Sequence, residues 1–274
     1  MIHAASREAL ASLRPEVESV IRGFSATGEF TSLSEELQGV AALLSAQPRL
    51  RRMLADPASP AAARAGLVEN LIGGKVGASA LSITKSAVSL RWSSPWDLLD
   101  AIETTADEVL LAAAEQAGSI DAVEDELFRL ERILDGESSL TTLLDEPNAD
   151  VSRRQALLEQ VVGGKVNPIT LALLHHAIGS DRKRSILLAI DNLVEAAAAR
   201  RERSIAKVTT ALELTEAQQN ALAQRLTSLY GRAIDVRYSV DPAIRGGLVV
   251  RVADEVIDGS ILSRLTEVRG AFAS

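Results

Sequence analysis

Residues 69–76 read ENLIGGKV, and residues 159–166 read EQVVGGKV. The same offset of 90 residues relates LRRMLADP at 50–57 to LTTLLDEP at 140–147. It also carries Leu37 onto Leu127, Leu43 onto Ile133, Leu81 onto Leu171 and Ala87 onto Ala177. One offset that holds over several elements, with apolar matched to apolar, is the mark of a duplicated domain. Each Gly-Gly pair closes an apolar stretch of helical spacing, where glycine supplies the left-handed stop. The repeat therefore predicts two related bundles of short helices.

The signals around it agree. In the first copy Leu33, Leu37, Val40, Leu43 and Leu44 recur at helical spacing, and Ser32 with Glu35 has the spacing of a capping box. Leu50 to Leu54 form a short helix that stops before Pro57. Ser59-Pro60 places an N-cap and a first-turn proline before a helix that ends at Ile72. A further helix runs from about Val76 to Arg91, and Ser94, Pro95 and Asp97 open a long one that continues towards Ala117. In the second copy Ser152 and Gln155 cap the counterpart helix and Gly163-Gly164 end it.

Beyond the second copy the period changes from helical to alternating. Ile205 to Ala211 alternates as a half-buried strand, and Thr215 with Gln218 caps a helix through Leu222, Leu226 and Leu229 that stops at Gly231. Ile234, Val236, Tyr238 and Val240 form a second strand, and Leu248 to Val252 a third. Asp258-Gly259-Ser260 then opens a last helix with Ile261, Leu262, Leu265 and Val268. The expected fold class is mainly α: two tandem related helical bundles, residues 1–104 and 105–204, and a small α/β domain, 205–274.

Composition narrows the function. The chain is 47% hydrophobic but only 3% aromatic, which suits helices packed through aliphatic side chains. With no cysteine there is no disulfide, thiolate metal site or cysteine nucleophile, and a reducing compartment is expected. A net charge of −8 disfavours nucleic-acid backbones and anionic lipid, so no nucleic-acid partner is expected. The start, MIHAASREALASLRPEVESV, has no apolar signal core. The longest uncharged stretch, Val166 to Ser180, is shorter than the ~20 apolar residues that span a bilayer. A soluble, cytoplasmic protein with no direct membrane insertion is expected, held at a membrane only by partners.

No motif reads as an active site. A phosphate-binding loop needs G-x-x-x-x-G-K-[ST] after a strand; here valine follows both GGK lysines, and helices precede them. His175 and His176 are adjacent on a helix, so they do not share a face, and no third ligand is near in sequence. No metal and no cofactor is expected. Arg182-Lys183-Arg184 reads as a solvated helix entry. Asp254 and Asp258 suit turns and caps better than acid–base work, for want of a nucleophile or cleft. Apolar helical stripes can also leave a groove for a partner's amphipathic helix, although the same stripes build a core.

The segment IDVRYSVDPAIRGGLVVRVA, 234–253, continuing into DEVIDGSILSRL, strongly resembles the delta-subunit family of F-type ATP synthases, which includes the mitochondrial oligomycin-sensitivity-conferring protein. Asp241, Ile244, Gly246, Gly247, Leu248, Val250 and Arg251 fit the family pattern, as do Asp254, Ile257, Asp258, Gly259 and Ser260; Ala253 departs from it. Asp241, Gly246, Gly247, Asp254, Asp258, Gly259 and Ser260 are read as structural, with glycine permitting a bend or bulge where a strand begins. The resemblance covers about residues 105–274. The usual family member has one helical bundle, and the additional copy resembles the long delta subunits of actinobacteria.

The resemblance implies a non-catalytic stator subunit on the cytoplasmic face of the cell membrane, one copy per complex. It implies a bundle that grips the N-terminal helices of alpha subunits, and a C-terminal domain that meets the b subunits. By analogy and helical spacing, the groove is expected between the helix with Val109 and Leu110 and the helix with Ile169, Leu173 and Leu174. Two other classes are weighed. A stand-alone helical scaffold or adaptor for amphipathic helices would show the repeat but has no reason to carry the tail motif. An enzyme would need convergent polar groups that the sequence does not offer.

Overall fold

The computed structural model describes residues 4–180, 185–203, 205–230, 234–244, 246–252 and 255–259. Two compact units divide the chain, Met1–Ala197 and Ala198–Ser274. The first consists of helices α1 (Ala4–Ile21), α2 (Thr27–Ala46), α3 (Pro48–Ala55), α4 (Ala61–Ile72), α5 (Ala78–Ser89), α6 (Pro95–Gln116), α7 (Ile120–Gly136), α8 (Ser138–Leu144), α9 (Val151–Val162), α10 (Pro168–Gly179) and most of α11 (Ile186–Arg203).

The duplication holds at the level of bonds between elements. A shift of 90 carries α4 onto α9 and α5 onto α10, residue for residue at both ends. Glu36 accepts from the Gly77 amide at the start of α5 (2.9 Å), and Glu126 accepts from the Asn167 amide at the start of α10 (2.8 Å). Arg64 donates to the Leu54 carbonyl, and Arg154 donates to the Leu144 carbonyl. Lys85 pairs with Glu69 at 2.7 Å where His175 pairs with Glu159 at 3.0 Å. In both copies the GG turn reverses the chain after the helix, with left-handed φ at Gly74 (+80°), Gly163 (+58°) and Gly164 (+66°).

One helix serves both copies. Shifted by 90, α1 falls on α6, and α6 in turn falls on α11. So α6 is the sixth helix of the first copy and the first of the second. It packs against α1, α2, α3 and α5 on one side and against α7 and α10 on the other. Of its 22 residues, 15 are buried, among them Leu98, Leu99, Ile102, Leu110 and Leu111. Glu103, Thr104, Asp107 and Glu108 form its one half-buried stripe, and most of the remaining surface is apolar and covered, as a helix packed on several sides requires. The cluster from Ala9 to Ala197 is accordingly one continuous core. The expected boundary at residues 104–105 falls inside this helix.

Local signals were read correctly at some ends and not at others. Ser94 accepts from the Trp96 amide and caps α6, with Pro95 in the first turn. Ser32 and Glu35 do not cap α2, which starts a turn earlier: Glu29 accepts from the amides of Ser25 and Ala26, and Phe30 packs edge-on against Phe24. Ser152 and Gln155 do not cap α9, which begins at Val151 with Asp150 ahead of it. Ser59 donates to Asp56 and does not cap α4.

The second unit holds the end of α11, then β1 (Ile205–Thr210), α12 (Glu216–Tyr230), β2 (Asp235–Val240), a 3-10 turn at Pro242–Ile244, β3 (Leu248–Val252) and β4 (Glu255–Asp258). The sheet order is β2-β1-β3-β4, with β1 parallel to β2 across the α12 crossover and the other pairs antiparallel. Ala206, Val208, Leu226, Ile234, Val250 and Val252 make its core. Thr215 and Gln218 form the expected capping box at the start of α12. β4 is an element that the sequence reading missed: Asp258 and Gly259 end a strand pairing Val249 with Asp258. Gly231, Ala253, Asp254, Ser260, the expected helix over Ile261–Val268 and the run Arg182–Arg184 lie outside the described residues.

Two outcomes test this account. Ile102→Ala is expected to lower stability by about 2–5 kcal/mol. Amide exchange in α2 and in α7 should then accelerate together, because both lean on α6; acceleration in one copy alone would refute the shared core. Gly247 stands at φ +79°, so Gly247→Ala should destabilise by about 1–2 kcal/mol in a denaturant titration.

Candidate functional site

The five residues expected to line a partner groove are brought onto one pair of packed helices, but they face inward. Val109 and Leu110 of α6, and Ile169, Leu173 and Leu174 of α10, are all buried, none more than 5% exposed. They build the core instead of lining an open groove. The physical reason is that the most apolar stripe of a helix is the one its own bundle claims first. What α10 leaves accessible is its other side, where Leu171, Ala172 and His175 are half-buried.

Beside this helix pair lies a small cavity of ≈ 100 Å³, where Gln38, Asp100, Glu103, Asp107, His176 and Asn192 meet apolar residues such as Leu193 and Ala196. His176 Nδ1 and Asp107 Oδ1 stand 2.8 Å apart, and Ser180 donates to Glu103 at 3.1 Å. Arg14 of α1 reaches across to Glu108 at 2.7 Å. Burial pushes the Asp107 carboxyl above its ordinary value, against the opposing pull of the hydrogen bond and charge of His176. At the positions of α1 that correspond to Asp100, Glu103 and Asp107, the chain carries Leu10, Leu13 and Val17, all buried. The cavity thus occurs where the second copy replaces apolar packing with carboxylates. Among the described residues, no group of three or more candidate ligands could hold a metal ion.

The tail motif builds turns. Asp241 donates its amide to the Thr210 carbonyl (2.8 Å) and accepts from the Ala243 amide (2.9 Å), which fixes the exit from β2. Gly246 and Gly247, at φ +127° and +79°, then turn the chain into β3. The Gly259 amide donates to the Leu248 carbonyl at 2.9 Å and ties the end of β4 to the start of β3. Asp258 is the last residue of β4.

The surface holds a feature that the sequence reading did not single out. Leu43 and Ile133, Met53 and Leu143, and Leu71 and Val161 are three pairs at the offset of 90, and all six side chains are between 36 and 58% exposed. They lie on α2, α3 and α4 and on α7, α8 and α9. Helical spacing alone does not separate them from core positions, since adjacent apolar residues such as Leu173 and Leu174 are both buried.

The family described as ATP synthase delta (OSCP) subunit matches residues 108–272, which is the second copy and the tail. A protein named ATP synthase subunit delta from Salinispora arenicola is 42% identical over 98% of both chains. Proteins of the same name from Streptomyces griseus, 39% identical over 97% of both chains, and Corynebacterium glutamicum, 40% identical over 99% of this chain and all of the relative, match similarly. These alignments include the first copy. A chain in a Toxoplasma gondii mitochondrial ATP synthase hexamer aligns over 63% of this chain and 97% of its own at 19% identity, with a TM-score of 0.31, too low to bear on the fold.

The raised carboxyl gives a pH signature. The folded state holds the Asp107 proton more tightly than the unfolded chain does, so its effect is to lower stability as pH rises through the raised pKa. Asp107→Asn is expected to flatten that decline when melting temperature is followed over about pH 4 to 8. A slope unchanged by the substitution would refute the assignment.

Proposed function

Since the chain belongs to the ATP synthase delta (OSCP) subunit family, we propose that it is a stator subunit of an F-type ATP synthase. It holds the catalytic alpha/beta head to the peripheral stalk of b subunits, so that proton-driven rotation is coupled to ATP synthesis. The observation that carries this reading is the match over 98% of the chain to a protein named ATP synthase subunit delta, with both copies and the tail included. The subunit has no active site of its own and works by adhesion. Rotor torque would spin an unheld head, and buried apolar helix faces resist it with slow dissociation.

In this reading residues 105–204 grip the N-terminal helices of alpha subunits. Residues 205–274 meet the C-terminal ends of b subunits, and residues 1–104 brace the assembly, sharing α6 with the second copy. One chain serves each complex at the cytoplasmic face of the membrane, held by its partners. Among the described residues no helix is long and apolar enough to cross a membrane. The α6–α10 pair serves the alpha contact indirectly: Val109, Leu110, Ile169, Leu173 and Leu174 hold the two helices together, and Leu171, Ala172 and His175 meet the partner.

Calorimetric titration of the full chain with the N-terminal peptide of its cognate alpha subunit tests this. Leu171→Asp is expected to stay folded and bind at least about tenfold more weakly, the loss of one well-packed apolar contact. Leu173→Asp should lose the fold itself, since it buries a charge. Peptide bound equally well by folded Leu171→Asp would refute the placement. Membranes carrying an ATP synthase that lacks this chain, yet makes ATP at the full rate, would refute the stator role.

A further inference from the structure

The apolar positions exposed on α2–α4 recur on α7–α9, but the charge around them does not. Residues 27–72 carry five acidic and four basic side chains, a net −1; the corresponding residues 117–162 carry eleven acidic and four basic, a net −7. The divergence runs along α7, α8 and the turn after them: residues 124–146 have eight acidic and two basic side chains, Arg129 and Arg132, where residues 34–56 have three of each. Between Ile133 and Leu143 the second copy has exposed Asp135 and Glu137 where the first has Ser45 and Gln47. It has Ser139 and Thr142 where the first has exposed Arg49 and Arg52.

We infer that α7–α9 is a docking surface for a lysine- and arginine-rich amphipathic helix of a partner protein, and that α2–α4 excludes that helix. The three helices are consecutive, α7 packed on α8 and α8 on α9. Ile133, Leu143 and Val161, with Phe128 on α7, offer apolar area on each of them. Such area is what the apolar face of a helix buries. Charge decides which helix. At physiological ionic strength exposed charges are screened beyond about 8 Å, so carboxylates next to the apolar contacts matter far more than the total. Asp135 and Glu137 follow Ile133 within four residues, and with Glu131, Asp145 and Glu146 they outnumber Arg129 and Arg132 and favour a cationic rim. Arg49 and Arg52, on the helix of Met53, repel the same rim, and Gln38 stands where the second copy has Phe128, so three shared apolar positions yield two surfaces of different choice. Duplication followed by a change of charge gives one chain two non-interchangeable grips. The surface lies on α7–α9 and not on the exposed side of α10, so the inference stands or falls apart from the alpha-subunit placement.

The test uses the full chain and two synthetic amphipathic helices, one of leucine and lysine and one of leucine and glutamate, titrated with circular dichroism as a check on fold. The lysine helix is expected to bind and the glutamate helix to bind at least about tenfold more weakly, with the difference shrinking as salt is raised. Ile133→Ser with Leu143→Ser, and separately Asp135→Lys with Glu137→Lys, should each weaken the lysine helix by about tenfold or more; Leu43→Ser with Met53→Ser should not. These positions are exposed, and the variants are expected to fold. Equal binding of both helices, indifference to the second-copy variants, or loss in the first-copy variant would overturn the proposal. So would self-association in sedimentation that disappears with Ile133→Ser and Leu143→Ser, which would make a second copy of the chain the occupant.

Discussion

The enclosure of α6 is the constraint on which the helical unit depends. A helix buried along 15 of its 22 residues needs cover on most of its surface, and each copy supplies what the other lacks. Removing either copy would strip apolar side chains such as Leu98, Ile102 or Leu110 of their neighbours. The unit therefore behaves as one core with two lobes. The same sharing limits how faithfully the copies can repeat. Where α1 presents Leu10, Leu13 and Val17 to its bundle, α6 presents Asp100, Glu103 and Asp107, and a small cavity with the His176–Asp107 pair stands in place of tight packing.

Around that shared helix the duplication is kept at bonds that set geometry. A carboxylate holds the start of the fifth helix in each copy, and an arginine satisfies the carbonyl at the end of the third. Interactions of this kind are local and tightly specified in direction, so they preserve the bundle while the surface drifts. The drift is largest in charge. A surface charge can change sign at almost no cost in stability, whereas the choice of partner responds strongly. A protein whose proposed work is adhesion can thus diversify its contacts without touching its fold.

How much of the site was legible differs from residue to residue. Asp241, Gly246 and Gly247 were read as turn-builders, and the geometry agrees, because a left-handed glycine and an aspartate capping its own turn are decided within a few residues. The five residues expected at the groove are buried. Leu173 and Leu174 have the spacing of an interaction stripe, but spacing reports a face and not what covers it; here the covering is α6 and the core. Leu43 shares the helical spacing of Leu37, Val40 and Leu44, yet it is 37% exposed while they are buried. α2 starts ahead of Ser32 because Glu29 accepts from the amides of Ser25 and Ala26, a cap that competes with the later one.

By itself the sequence determined the fold class, the duplication at an offset of 90, the α/β tail and the family, because each rests on periodicity or on a motif confined to short range. Tertiary structure alone decided that the copies share a helix, that the candidate groove is core, and that matched apolar residues stand exposed on both copies. Those outcomes depend on which surfaces meet across tens of residues. Helical periodicity describes each surface but says nothing of its neighbour.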